Sequence, residues 1–146
     1  MFDRLHSRRI ALSVIVAASL ACGASVARAE MMTFKATLDG KSQVPPNSSA
    51  ATGQATFTYD TATKELKWTV TYSGMSQPAT AAHIHGPAEP GKNAGVLIPF
   101  TSAGSPISGT KMLTDAQAAD MMAGKWYVNV HTAANPGGEI RGNITK

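Results

Sequence analysis

This chain is poor in the residues that most often announce chemistry. Its 146 residues include one cysteine, Cys22. A lone thiol closes no internal disulfide and cannot build a cysteine-cage zinc site or an iron–sulfur cluster. Charged residues make up 15% and aromatic residues 6%, against 43% hydrophobic, which excludes a charge-driven disordered chain. The apolar run Ile10 to Leu20 is shorter than the roughly 20 residues of a membrane-spanning helix. There is no Gly-x-Ser-x-Gly elbow, no phosphate-cradling glycine pattern, and no acidic pair singled out by spacing. A chain of this length suits a single domain.

The formal charge of +4 would by itself invite nucleic acid as a partner. Much of it sits at the N-terminus. Arg4, Arg8 and Arg9 precede the apolar run, and Ala27-Arg28-Ala29 follows it. A basic start, an apolar middle and an Ala-x-Ala site describe a secretory signal peptide over residues 1–29, cleaved after Ala29. Lipid attachment at Cys22 is the weaker alternative, because Ser19 stands where such sites carry Leu. Cleavage removes four of the thirteen basic residues and one of the nine acidic ones, leaving +1 and no thiol. The expectation is a periplasmic or secreted protein of residues 30–146, without a transmembrane anchor. No basic cluster survives to bind nucleic acid.

Within residues 30–146, two-residue alternation dominates and helical periodicity is nearly absent. It predicts strands over 33–38, 54–59, 65–72, 79–85, 96–100, 107–112, 125–131 and 139–144. The short link Asp60 to Lys64 makes the second and third an antiparallel hairpin. Thr114-Asp115-Ala116-Gln117 has the form of a capping box and predicts one short helix, stopped at Gly124. Many short strands with a single helix argue an all-β antiparallel sandwich or barrel. Phe57, Trp68, Val128 and Ile140 are core candidates. Met112, Met121 and Met122 read as packing residues, and Met75 is the one methionine of interest beside the histidines.

The three histidines after residue 29 are His83, His85 and His131. In a strand, residues two apart share a face, so His83 and His85 point the same way and Ile84 points opposite. His131 ends another strand and shares its face with Tyr127 and Asn129. Three converging imidazoles suit copper or zinc with an open position; the competing reading gives each ring an ordinary loop-bracing hydrogen bond. Glu139 and Arg141 share a face on the last strand. They read as a partly exposed ion pair, or Glu139 accepts a histidine N–H and fixes that ring. Asn47 and Asn143 fit the glycosylation sequon, relevant only in a eukaryotic secretory pathway.

Three separated motifs occur in order: Leu38-Asp-Gly-Lys-Ser-Gln-Val-Pro-Pro46 with Thr52-Gly53, Ala82-His-Ile-His-Gly-Pro-Ala88, and Trp126-Tyr-Val-Asn-Val-His-Thr132 with Asn135-Pro-Gly-Gly-Glu-Ile-Arg-Gly142. Together they resemble the CHRD, or chordin-type, domain from about Phe34 to Ile144. The resemblance implies an antiparallel immunoglobulin-like β-sandwich and an extracytoplasmic location, and places His83, His85, His131, Glu139 and Arg141 on family motif positions. The family usually carries Glu before Val-Pro-Pro. This chain has Gln43, so a role needing a negative charge there does not carry over. The leading expectation is an exported binding module with a copper or zinc site on the three histidines and no catalytic residues. A second is a protein-interaction or matrix module, without metal, for an extracytoplasmic protein partner. A third, ranked last, is a metalloenzyme of superoxide dismutase type, suggested only by the His-x-His strand.

Overall fold

The computed structural model describes residues 29–146. Residues 1–28 of the expected leader, with Cys22, lie outside the described residues. The elements in chain order are β1 (Met31–Asp39), β2 (Thr52–Asp60), β3 (Glu65–Ser73), β4 (Ala79–His85), β5 (Val96–Pro99), β6 (Ile107–Met112), α1 (Asp115–Met122), β7 (Tyr127–Thr132) and β8 (Ile140–Asn143). No helix among the described residues is long and apolar enough to cross a membrane.

Alternation shapes the first three strands. Phe34, Ala36 and Leu38 on β1, Ala55, Phe57 and Tyr59 on β2, and Leu66, Trp68 and Val70 on β3 are buried. Threonine, lysine and glutamine fill most of the positions between them, as expected for a sheet with one wet face. Each large apolar side chain removed from water contributes about 1.5–3 kcal/mol. At the β2–β3 turn, Asp60 Oδ1 accepts from the backbone N–H of Ala62 and Thr63. Lys64, at φ 62°, turns the chain into β3. Trp68 lies flat over Gly109 of β6, where a Cβ would come within 2.3 Å of its ring; only glycine leaves that space.

All eight strands join one antiparallel sheet in the order β5-β4-β7-β8-β1-β2-β3-β6. This corrects the expected two-sheet immunoglobulin-like sandwich. The sheet curls into a half-barrel instead, because β1 pairs with β2 along its length and also meets the opposite half. That seam is sparse: Asp39 faces Arg141 of β8, and Lys35 bridges Thr145. The two edges approach each other on the far side, where Trp68 stacks on Phe100 at 5.1 Å. The concave interior holds the core, including the expected Phe57, Trp68, Val128 and Ile140.

Thr114 caps α1 through its side chain, which accepts from the Gln117 N–H, and Gln117 reaches back to complete the capping box. The helix ends before Gly124 at φ 72° and buries Ala118 and Met121. Met112 and Met122 are exposed rather than packed, whereas Met75 packs on the rim of the core.

Candidate metal centre

Register brings the polar residues of β4, β7 and β8 onto one face. His83 lies opposite Asn129, His85 opposite Tyr127 and Ala81 opposite His131; on the other flank, Asn129 lies opposite Arg141. Directly opposed residues share a face, so the histidines stand on the convex side, away from Ile84, Val128 and Val130. Loops cover that face over β7, every residue of which is buried, while Val96 and Pro99 on the neighbouring β5 stay exposed.

The three rings converge. One nitrogen from each of His83, His85 and His131 lies within 4.8 Å of the others. His83 Nδ1 is 3.1 Å from His131 Nε2, and the ring centroids lie 4.9 to 6.3 Å apart. His85 and His131 are only 8% and 9% exposed, while His83 is half-buried. His85 Nδ1 donates to the Ala94 carbonyl at 3.0 Å, and His131 Nδ1 donates to the Pro136 carbonyl at 2.9 Å. A carbonyl only accepts, so both rings carry a proton on Nδ1, and in its neutral form each ring turns its Nε2 lone pair inward. Asn129 Oδ1 lies between them, 3.0 Å from His85 Nε2 and 2.9 Å from His131 Nε2.

Burial holds the His83 pKa below the ordinary histidine value, and the nearby His131 and His85 rings push the same way. Burial also lowers His85, against the opposing pull of its bonds to Ala94 and Asn129. Neutral imidazole is the form that binds copper or zinc. The donor set is nitrogen-rich, free of carboxylates and partly roofed, and it fits either ion better than calcium or magnesium.

Glu139 and Arg141 are separated by one residue, yet they form no ion pair with each other. Glu139, fully buried, accepts from Ser49 Oγ at 2.7 Å, Ser76 Oγ at 2.6 Å and Ser76 N at 2.8 Å. It also accepts from Thr132 Oγ1 at 2.6 Å and Asn135 Nδ2 at 3.2 Å. Burial pushes its carboxyl upward, but the bonds from Ser76, Thr132 and Ser49 outweigh that and hold it at about 2. None of these partners is a histidine. The orienting bonds come from the Ala94 and Pro136 carbonyls, and Glu139 instead ties three loops together. Asn47 joins this tie by donating to the Glu139 carbonyl at 3.0 Å.

Arg141, 1% exposed, donates to Asn93 Oδ1 at 2.9 Å and the Lys92 carbonyl at 2.8 Å. Its guanidinium lies 3.4 Å over the Tyr127 ring, and Tyr127 stacks parallel on His85 at 4.8 Å. Guanidinium, phenol and imidazole therefore form one stack that fixes the His85 plane. Burial lowers the Arg141 pKa, and Tyr127 pulls it the other way. The Tyr127 hydroxyl donates to the Ala94 carbonyl at 3.2 Å and accepts from the Ala94 N–H at 3.1 Å.

Asn129, Tyr127 and the 86–95 loop had no role assigned in the sequence reading. The signal for the first two was present, since Tyr127, Asn129 and His131 alternate on one strand face. Nothing local marks Ala94 or Pro136, which act through backbone carbonyls.

The CHRD domain family model matches residues 34–144, and the chain belongs to that family. No curated protein and no solved structure matches the chain.

Proposed function

We propose that this member of the CHRD family is an exported metal-binding module, holding one copper or zinc ion on His83, His85 and His131. The observation that carries the reading is the convergence of three imidazole nitrogens within 4.8 Å, two of them with lone pairs turned inward by carbonyl-bound Nδ1–H groups. Two bonds of about 2.1 Å at a tetrahedral angle place their donors about 3.4 Å apart, so small ring movements close the set. The fixed, half-roofed rings favour binding over turnover. Among the described residues, no side chain bonded to the three rings is a nucleophile or a carboxylate. Export rests on the leader pattern of residues 1–29.

Titrating the purified protein with copper or zinc is expected to bind one equivalent per chain and raise the melting temperature. An ion at 100 times its Kd contributes about 2.7 kcal/mol. His85→Ala and His131→Ala are expected to abolish the shift while the far-ultraviolet spectrum stays that of a β-protein. No uptake by the wild type, or uptake unchanged in both variants, overturns the reading. An intact mass beginning at Glu30 in the extracytoplasmic fraction supports export, and an uncleaved cytoplasmic chain counts against it.

A further inference from the structure

We propose that the Asn129 side chain is the fourth donor of the histidine centre, and that its amide turns over when a cation binds. The oxygen faces the rings with an ion in place, and the NH2 group faces them without one. The inference rests on reading the histidine cluster as a metal centre.

His85 and His131 both carry their ring proton on Nδ1, bonded to a backbone carbonyl. Asn129 Oδ1, itself only an acceptor, faces both of their Nε2 lone pairs at 3.0 and 2.9 Å. Three acceptors held this close with no proton between them repel one another. A shared cation turns the same arrangement into coordination. Ligands on bonds of about 2.1 Å stand about 3.0 Å apart at right angles and about 3.4 Å apart in a tetrahedron. Three neighbouring pairs, at 2.9, 3.0 and 3.1 Å, sit at the closer of these spacings. His83 joins by placing its proton on Nε2, which frees the Nδ1 lone pair.

The far side of Asn129 shows the complementary mismatch. Gln43 is 5% exposed, and its Nε2 has no hydrogen-bond partner among the described residues. Both it and Asn129 Nδ2 border Gly138: a Cβ there would come 2.4 Å from Gln43 Nε2 and 3.0 Å from Asn129 Nδ2. Two donor groups thus flank one backbone point. A half-turn of the Asn129 amide leaves its outline unchanged, because amide oxygen and nitrogen are nearly isosteric. After the turn, the NH2 group donates to both Nε2 lone pairs and Oδ1 lies on the Gln43 side. One orientation gathers four donors for a cation; the other gives both Nε2 lone pairs a donor without one. Gly138, at φ +119°, keeps the space beside both amides clear.

The test is side-chain amide NMR of the labelled full chain, metal-free and zinc-saturated, with zinc affinities for Asn129→Leu and Asn129→Asp. Metal-free protein is expected to show contacts from the Asn129 NH2 protons to the His85 and His131 rings, replaced on zinc binding by contacts toward Gln43. Asn129→Leu keeps the shape and loses the donor atom. It is expected to bind zinc on the order of 10- to 100-fold more weakly, with Asn129→Asp at least as tight as the wild type. Zinc uptake with unchanged NH2 contacts, or wild-type affinity in Asn129→Leu, overturns this inference and leaves the three-histidine centre standing. No zinc uptake by the wild type overturns both.

Discussion

In the half of the sheet formed by β1, β2, β3 and β6, the convex face meets water. In the half formed by β5, β4, β7 and β8, loops cover it over β7 and around Arg141 of β8, while Val96 and Pro99 of the edge strand β5 stay exposed. On β3, the outward Lys67, Thr69 and Thr71 are exposed; on β7, the outward Tyr127, Asn129 and His131 are all buried. Both halves alternate polar and apolar side chains, yet the polar positions serve opposite ends. An exposed threonine exchanges one water for another and carries little energy. A buried polar side chain must find fixed partners, so it becomes rigid and oriented. The outward face acquires chemistry only where loops remove its water.

The two halves differ most in what an apolar truncation does to them. Phe57→Ala, in the water-facing half, is expected to cost about 3–5 kcal/mol by urea denaturation, while metal stoichiometry in the folded fraction stays at the wild-type value. A change in stoichiometry would show that the halves are not separable. Glu139→Gln, in the roofed half, is expected to cost on the order of 3 kcal/mol at pH 7. Because the folded carboxyl sits at about 2, below its ordinary 4.5, this contribution is full above about pH 4.5 and is lost as pH falls toward 2. Stability curves of variant and wild type should therefore converge in acid, and a pH-independent gap would contradict the assignment.

Milder acidification probes the histidines. The pKa values of His83 and His85 are lowered on folding, so the unfolded chain takes up protons more readily than the fold. Stability is expected to begin falling as pH drops below about 6.5, and saturating zinc should steepen the fall because protons and metal compete for the same nitrogens. A flat profile from pH 7 to 5 would count against buried neutral rings. The smallest effect is also the sharpest contrast. Thr132→Ala removes a buried donor to Glu139 and should cost about 1.5–3 kcal/mol, while Thr69→Ala on the exposed face should stay within about 0.5 kcal/mol. Equal costs would dissolve the distinction between the halves.

Most strands were legible because a period of two is written in neighbouring residues. The Leu66, Trp68 and Val70 face needs only local reading, as does the Thr114–Gln117 capping box. The pairing of β1 with β8 was not legible, because two short contacts between residues about a hundred positions apart leave no local pattern. They separate one curled sheet from a sandwich. At the candidate site, spacing alone places His83 and His85 on one face, whereas for Glu139 it offers either an ion pair with Arg141 or a histidine N–H. Its true donors, Ser49, Ser76, Thr132 and Asn135, come from loops whose approach no strand period encodes.

The strand faces, the helix cap and the three imidazoles available as nitrogen donors follow from the sequence alone, because each depends on neighbours along the chain. Tertiary structure decided that the rings converge, that Asn129 stands between two of them, and that Glu139 and Arg141 are buried apart. Those outcomes depend on register between strands and on loops folded over them, and so on distances set across the sheet rather than along the chain.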